Sequence, residues 1–266
     1  MKGTAITSRH NRFYKKARSL KYKKNRDSER LFLVEGIRIL EVLVNSNLPV
    51  SMVFYTRQVL ESDRARSIVK NLVEKGDRNF IISGEMMEQL SPGKAPQGIV
   101  AVCSFLPSPG DEFGKNDGAY LVLENISDPG NLGAIFRTAW AGGANGLLLL
   151  GDCSDPYNPK AVRASAGGIL KVPFITLADN GEFFKWLGEK EIVPVLALPT
   201  GGKSPEKFIG KKRIAVILGS EAHGISSELA RQIDNKVSIP LATGVESLNI
   251  AVAAGILLYT IGKTTG

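Results

Sequence analysis

The sequence predicts an α/β protein in two parts, and three observations predict it. The chain has 266 residues, the length of two ordinary domains, so it can bury a sizeable core. Its 43% hydrophobic and 23% charged residues exclude wholesale disorder and a fibrous architecture. Short apolar runs alternate with segments of helical period along the whole chain, which is the pattern of a layered α/β fold.

Taken in order, Met1–Arg30 is a basic arm. After it come Leu31–Val34, Ile37–Val44, Met52–Tyr55, Ala65–Val73, Phe80–Ile82 and Ile99–Phe105, alternating strand-like and helix-like, which predict a small α/β domain over 31–106. Pro, Gly and Asp then crowd residues 107–117 without any apolar period, and the domain boundary is placed there. The second domain, 118–266, carries the runs Tyr120–Leu123, Leu147–Leu150, Val193–Leu198 and Ile214–Leu218, each almost continuously apolar. Strands of that kind are buried on both faces, as in a parallel sheet flanked by helices. A packed helix closes the pattern over Leu248–Ile261, with Ser247 near its N-cap.

The net charge of +8 is concentrated at one end, because Met1–Arg30 holds eleven Lys and Arg against Asp27 and Glu29. Cations release counterions from phosphates and aromatic rings stack on unpaired bases, so this arm with Phe13, Tyr14 and Tyr22 fits RNA. Arg9, Arg12, Lys15, Lys16 and Arg18, with Arg38 beyond the arm, are the candidate RNA-binding residues. The alternative for the arm is a solvated surface helix, and an amphipathic presequence is a third reading. Cys103 and Cys153 stand apart with no CxxC pattern or Cys/His cluster, which suggests neither zinc nor a disulfide framework. No apolar stretch approaches the roughly 18 residues of a membrane span, so the expected location is cytoplasmic.

Three clusters fall where strands end and helices begin, the usual ligand side of an open α/β sheet. The first runs Asp128-Pro129-Gly130-Asn131 through Arg137. Pro129 and Gly130 enforce a turn, and Asn131 is placed to cap the helix that carries Arg137 inward. An arginine among Ile135, Phe136, Ala139 and Trp140 needs a partner, either a phosphate or carboxylate ligand or a structural salt bridge. The second is Leu218-Gly219-Ser220-Glu221-Ala222-His223-Gly224-Ile225-Ser226, whose glycines allow close backbone approach to a ligand. Glu221 has capping as its other reading, and His223 lacks the spacing of a metal ligand. The third is Ile239-Pro240-Leu241 through Ser247-Leu248-Asn249, where capping accounts for Ser247 better than for Asn249. Gly142-Gly143-Ala144-Asn145-Gly146 follows a helix and precedes a strand, the reverse of a dinucleotide loop, and no Walker A sequence occurs.

In this order the clusters resemble the three signature motifs of the SpoU family of RNA 2'-O-ribose methyltransferases, within the SPOUT class. The resemblance spans Asp117–Gly262, and Phe32-Leu33-Val34-Glu35-Gly36 with Ala95-Pro96-Gln97-Gly98-Ile99 is similar to the substrate-binding domain that many members carry. It implies a trefoil-knotted catalytic domain preceded by a ribosomal-protein-like (L30e-like) domain, a homodimer with its active site near the subunit interface, and S-adenosylmethionine as cofactor. Carried over by position, it implies a catalytic set of Arg137, Asn131, Glu221, Ser247 and Asn249. The implied cofactor contacts are Leu218, Gly219, Glu221, Gly224, Ile239, Leu241, Ser247, Leu248 and Asn249, with no metal. Trp140 stands where many members have an acidic residue and Thr243 where glycine is common. The family's candidate base is Arg137, although guanidinium stays protonated and is better suited to orienting a hydroxyl or phosphate. The implied substrate is structured RNA, with 23S rRNA favoured over tRNA; a catalytically silent RNA-binding module is the alternative from another class.

Overall fold

In the computed structural model the described residues are 3–93 and 95–262; the first two residues of the expected arm and the last four of the expected catalytic segment lie outside them. The chain divides into two compact units, one of residues up to Pro107 together with Asp155–Leu170, the other of Ser108–Ser154 together with the residues from Lys171 on.

The first unit opens with β1 (Thr4–Ala5), α1 (Arg12–Ser19) and α2 (Lys23–Glu29), followed by β2 (Leu31–Glu35), α3 (Ile37–Val44), β3 (Val50–Tyr55), α4 (Asp63–Lys75), β4 (Asn79–Ile81), α5 (Gly84–Leu90) and β5 (Ile99–Ser104). Its five strands order β1-β4-β3-β5-β2, with β1, β4 and β3 parallel and β5 antiparallel to both of its neighbours. The expected basic arm is therefore not an arm. Tyr14, Ala17 and Leu20 are fully buried with Leu33, Phe54 and Val102, and the Tyr14 hydroxyl donates to the Met86 carbonyl at 2.8 Å. An apolar face at helical spacing inside a cationic segment is what folds it, since burying it outweighs leaving the segment extended in water.

The second unit runs β6 (Gly118–Glu124), α6 (Pro129–Ala141) and β7 (Gly146–Leu150); the chain then supplies α7 (Pro159–Ala164) to the first unit before returning as β8 (Phe174–Leu177), α8 (Asn180–Lys190), β9 (Val193–Ala197), β10 (Arg213–Leu218), α9 (Ser227–Gln232), β11 (Lys236–Val237) and α10 (Ile250–Ile261). The six strands are all parallel in the order β11-β9-β10-β6-β7-β8. One face packs Tyr120, Val122, Ala215 and Ile217 against Phe183, Trp186 and Leu229 of α8 and α9; α6 and α10 pack against each other and supply buried side chains such as Phe136 and Leu257. Burial on both faces is why these strands read as unbroken apolar runs. Two strands escape that reading. β8 is a partly exposed edge strand and β11 has two residues, so neither builds a long apolar run. Phe113, in the expected linker, is buried against Tyr120 and Trp186, with ring centroids 5.7 and 5.8 Å apart.

The loop between β9 and β10 folds over β11. Gly202 N–H donates to Ser238 Oγ at 2.8 Å, Lys203 N–H to the Lys236 carbonyl at 2.8 Å, and Ser238 N–H to the Lys203 carbonyl at 3.0 Å.

The assignment of Asp155–Leu170 to the first unit breaks the expected continuous second domain, and two ion pairs explain it. Arg26 Nε donates to Asp155 Oδ2 at 2.9 Å, and the Arg26 side chain also donates to the Leu20 and Lys21 carbonyls at 2.8 Å. Arg163 Nη1 donates at 3.1 Å to Glu35, a carboxylate with no exposed surface that also accepts from Ser91 Oγ at 2.8 Å and Gln97 N–H at 3.2 Å. Tyr157 stacks on Phe105 with centroids 3.8 Å apart and tilts against Phe32 at 4.9 Å. Removing one member of a buried pair strands the other charge, so Asp155→Ala should cost roughly 3–5 kcal/mol. Urea unfolding should show that loss as a lower midpoint, and the double variant Arg26→Met/Asp155→Leu should recover a large part of it.

Candidate active site

Strand order places the site. From β6 the chain steps outward to β7 and β8, then crosses to the other side of β6 for β10, with β9 and β11 beyond it. The loops that leave the C-terminal ends of β6 and β10 therefore diverge, and a crevice opens between them. Leu123 and Leu218 are paired in register at that point.

The first loop leads into α6. Asp128 caps this helix, its Oδ1 accepting the Asn131 N–H at 2.8 Å. Asn131 is thus not the cap that the sequence suggested; Pro129 starts the helix at once, which places Asn131 within its first turn and leaves its side chain for other partners. The second loop is built on its own glycines. A Cβ on Gly219 would lie 2.2 Å from the Gly224 carbonyl group, so the close approach here is between two strands of the same loop. Gly224 N–H donates to the Ser220 carbonyl at 2.8 Å and has φ +64°. Ser226 caps α9 and donates its N–H to Glu124 Oε2 at 2.9 Å. Glu124 is 3% exposed and ties the second loop to the end of β6. The sequence reading missed it, although a carboxylate ending the run Ala119–Leu123 is a visible signal.

The third segment closes the site. Asn249, not Ser247, caps α10, its Oδ1 accepting the Ala251 N–H at 3.0 Å. Its Nδ2 donates at 3.1 Å to Asn131 Oδ1 and at 3.1 Å to Glu221 Oε1. One side chain therefore caps a helix and joins the other two clusters, because the helix starts two residues later than expected. Ser247 lies in the exposed loop before it. Arg137 does not join this group: it is exposed on α6, and among the described residues it has no hydrogen-bond or ion-pair partner. The apolar stretch around it packs inward through Ile135, Phe136 and Ala139, and helical rotation turns Arg137 and Trp140 outward.

Two cavities meet at this junction. The first, of about 460 Å³, is lined by Leu218, Gly219, Glu221 and Gly224 from the second cluster and by Ile239, Leu241, Ser247 and Leu248 from the third. Asn249 is not in its wall. Ala197, Leu198 and Pro199 at the end of β9 complete it, a contribution that no motif reveals. Among the described residues Glu221 is the one Asp, Glu, Lys or Arg in this lining, which suits a ligand with an apolar body and a positive centre. The second cavity, of about 530 Å³, shares Glu221, His223 and Gly224 with the first and includes Asn131. No group of three His, Cys, Asp or Glu among the described residues could hold a metal ion.

The expected RNA contacts lie in the first unit. Arg12, Lys15 and Arg18 are exposed along one face of α1, opposite Tyr14 and Ala17, and Arg38 is exposed in α3. Arg9 pairs with Glu85, and Lys16 with Glu29 at 2.6 Å. Phe13 stacks on Phe80 at 5.2 Å and carries Arg12 and Arg78 over its ring. Of the three aromatic residues expected to meet bases, Phe13 and Tyr14 are thus committed to the fold, whereas Tyr22 is 71% exposed.

The family described as SpoU rRNA methylase matches residues 118–259, which takes in the crevice and all three clusters. The chain belongs to the SpoU rRNA methylase family. Residues 11–101 match a substrate-binding domain of the MRM3-like kind. This SpoU enzyme is 30% identical to a 23S rRNA (uridine(2479)-2'-O)-methyltransferase of Streptomyces viridochromogenes, over 96% of this chain and 90% of that one. It is also 30% identical to a 23S rRNA (guanosine(2553)-2'-O)-methyltransferase of Bacillus subtilis, over 96% and 97%. The structure of an AdoMet-bound rRNA methyltransferase from Sinorhizobium meliloti matches with a TM-score of 0.85 at 28% identity, covering 97% of each chain. A structure concerned with 2-OH methylation of C/U34 on tRNA matches 54% of this chain and 93% of that one, at 26% identity and a TM-score of 0.50.

Replacing Asn249 separates its two roles. Asn249→Ser keeps a capping oxygen but removes the amide, so stability should stay within a few tenths of a kcal/mol while methyl transfer falls. Asn249→Ala should lose about 1 kcal/mol of cap energy as well. Thermal denaturation alongside turnover checks both.

Proposed function

We propose that this SpoU enzyme methylates a ribose 2'-hydroxyl of 23S rRNA in the cytoplasm, with Asn131, Glu221, Ser247, Asn249 and Arg137 as its catalytic set. The observation that carries the reading is the convergence of Asn131, Glu221 and Asn249 where the two cavities meet.

The cofactor is S-adenosylmethionine, which supplies an electrophilic methyl group when bound. The first cavity fits it: about 460 Å³ lies within the usual range for ligand sites, and Leu218, Ile239, Leu241 and Leu248 offer an apolar wall for an adenine ring. Gly219 and Gly224 bring loop backbone into its wall, and Glu221 answers a positive centre. In-line displacement demands alignment of the hydroxyl, which Asn131 and Asn249 provide as amides held by each other. Glu221 accepts a hydrogen bond on the wall common to both cavities and draws the hydroxyl proton toward itself.

Arg137 lines neither cavity of its own chain. It shares an outward face with Trp140, 42% exposed, and α10, which packs on α6, leaves Val252, Ile256 and Tyr259 exposed at spacings of four and three. An apolar face of that kind marks an interface. It supports a homodimer in which Arg137 of each protomer orients the substrate at the partner's site. The folding of the β9–β10 loop over β11, ahead of an α10 that returns to pack on α6, supports the trefoil knot. The α/β first unit, with its exposed cations on α1 and Arg38, supports an L30e-like, RNA-holding role. Ribosomal rather than transfer RNA is favoured because relatives matching both parts of this chain are named for 23S rRNA, whereas the tRNA-related structure matches 54% of it.

Labelled methyl transfer to rRNA and tRNA from a strain lacking the protein, followed by mapping, tests the substrate: a single 23S site is expected, and labelling confined to tRNA overturns that choice. Arg137→Ala should abolish turnover with cofactor and RNA affinity retained. Mixing it with Asn131→Ala should restore roughly a quarter of parental activity if protomers exchange freely, since half of the dimers then hold one intact site. No recovery on mixing would place Arg137 in its own protomer's site.

A further inference from the structure

Beyond Asn131 and Glu221, the second cavity has polar lining that the methyl-transfer chemistry does not use. Resting on the reading of this protein as a ribose methyltransferase, we infer that this cavity holds the base of the nucleotide being methylated, and that Asp152 selects guanine there.

Position and size come first. The cavity measures about 530 Å³ and shares Ser220, Glu221, His223, Gly224 and Ile250 with the first one. A ribose presented at that common wall carries its base into the second cavity. Among the described residues neither Lys nor Arg lines it, so phosphate groups stay outside and the uncharged base enters. For an edge of that base to be read inside, the nucleotide must be unpaired or turned out of its helix.

Asp152 is the carboxylate left for it. The Asp128 carboxylate is taken by the α6 cap, and Glu221 by Asn249. Asn125 Oδ1 accepts the Asp152 N–H at 2.8 Å. The Asp152 carboxylate itself has no hydrogen-bond or ion-pair partner among the described residues. Its place is nonetheless fixed by the strands beneath it. β6 and β7 end side by side, with Glu124 paired to Leu150, and the next residues, Asn125 at φ +56° and Gly151 at φ +70°, both turn left-handed. A Cβ on Gly151 would lie 2.5 Å from Asn125 Oδ1, so this turn admits glycine alone without movement.

A carboxylate presents two acceptors side by side and no donor. The Watson–Crick edge of guanine offers N1–H and N2–H as adjacent donors, which the two oxygens match together. On the corresponding edges of adenine, cytosine and uracil every donor stands beside an acceptor, which a carboxylate repels. Asp152 therefore favours guanine over the other three bases.

The experiment maps the methylated nucleotide in RNA from the deletion strain, then repeats the reaction on that RNA fragment with inosine at the mapped position and with the Asp152→Asn enzyme. The expected nucleotide is guanosine. Inosine lacks the 2-amino group, so it should lower kcat/KM by roughly tenfold to a hundredfold, the range of a bidentate base contact. Asp152→Asn should lower activity on guanosine similarly, lose most of its discrimination against inosine, and leave S-adenosylhomocysteine affinity unchanged. Methylation of any other nucleotide, or an inosine penalty as large in Asp152→Asn as in the parent, overturns the base assignment while leaving the methyltransferase reading intact. Absence of methylation of any RNA would overturn both.

Discussion

Everything at the active site depends on the reversal of strand order about β6. Parallel strands expose their loops at one end, and a chain that fills one side of a central strand before the other must send two of those loops in opposite directions. The end of β6 and the end of β10 lie in register although Leu123 and Leu218 are far apart in the chain. The crevice is therefore a product of sheet topology, and no local conformational preference of either loop would create it.

Given that crevice, a small number of polar contacts turn it into a site. Glu124 reaches from β6 to the N–H of Ser226, and Asn249 links Asn131 to Glu221 while it caps α10. Each contact joins segments that meet only through the sheet. Asn249 makes the α10 start part of the crevice, so the joining of the clusters and the capping of the last helix depend on the same residue. Gly219 belongs to the same logic, because the second loop folds back on itself at a distance that leaves no room for a side chain.

The first unit is organised on a different principle. Its sheet buries an apolar face of a strongly cationic helix, which leaves Arg12, Lys15 and Arg18 fixed along the outside. A rigid row of cations loses less freedom on meeting a phosphate backbone than a flexible arm would. The segment Asp155–Leu170 adds a second requirement, since Arg26 and Glu35 are buried with partners that come from beyond β7. The first 107 residues do not by themselves contain the ion-pair partners of Arg26 and Glu35.

The sequence by itself determined the class of the fold and the family to which the chain belongs. Continuous apolar runs marked the central parallel strands, and the three clusters marked the loops at their ends, because burial on two faces and strand-to-helix turns both leave local signatures. It also named Asn131, Glu221 and Asn249. Only the tertiary structure decided which of them touch, that Asp128 and Asn249 are the caps, that Arg137 faces outward, and that Phe13 and Tyr14 serve the core. It alone revealed Glu124, the β9 wall of the first cavity, and the passage of residues 155–170 into the first unit. The physical reason is common to all of these: a hydrogen bond or buried ion pair between segments distant in the chain depends on where the sheet brings them, and amphipathic spacing within one segment carries no record of that.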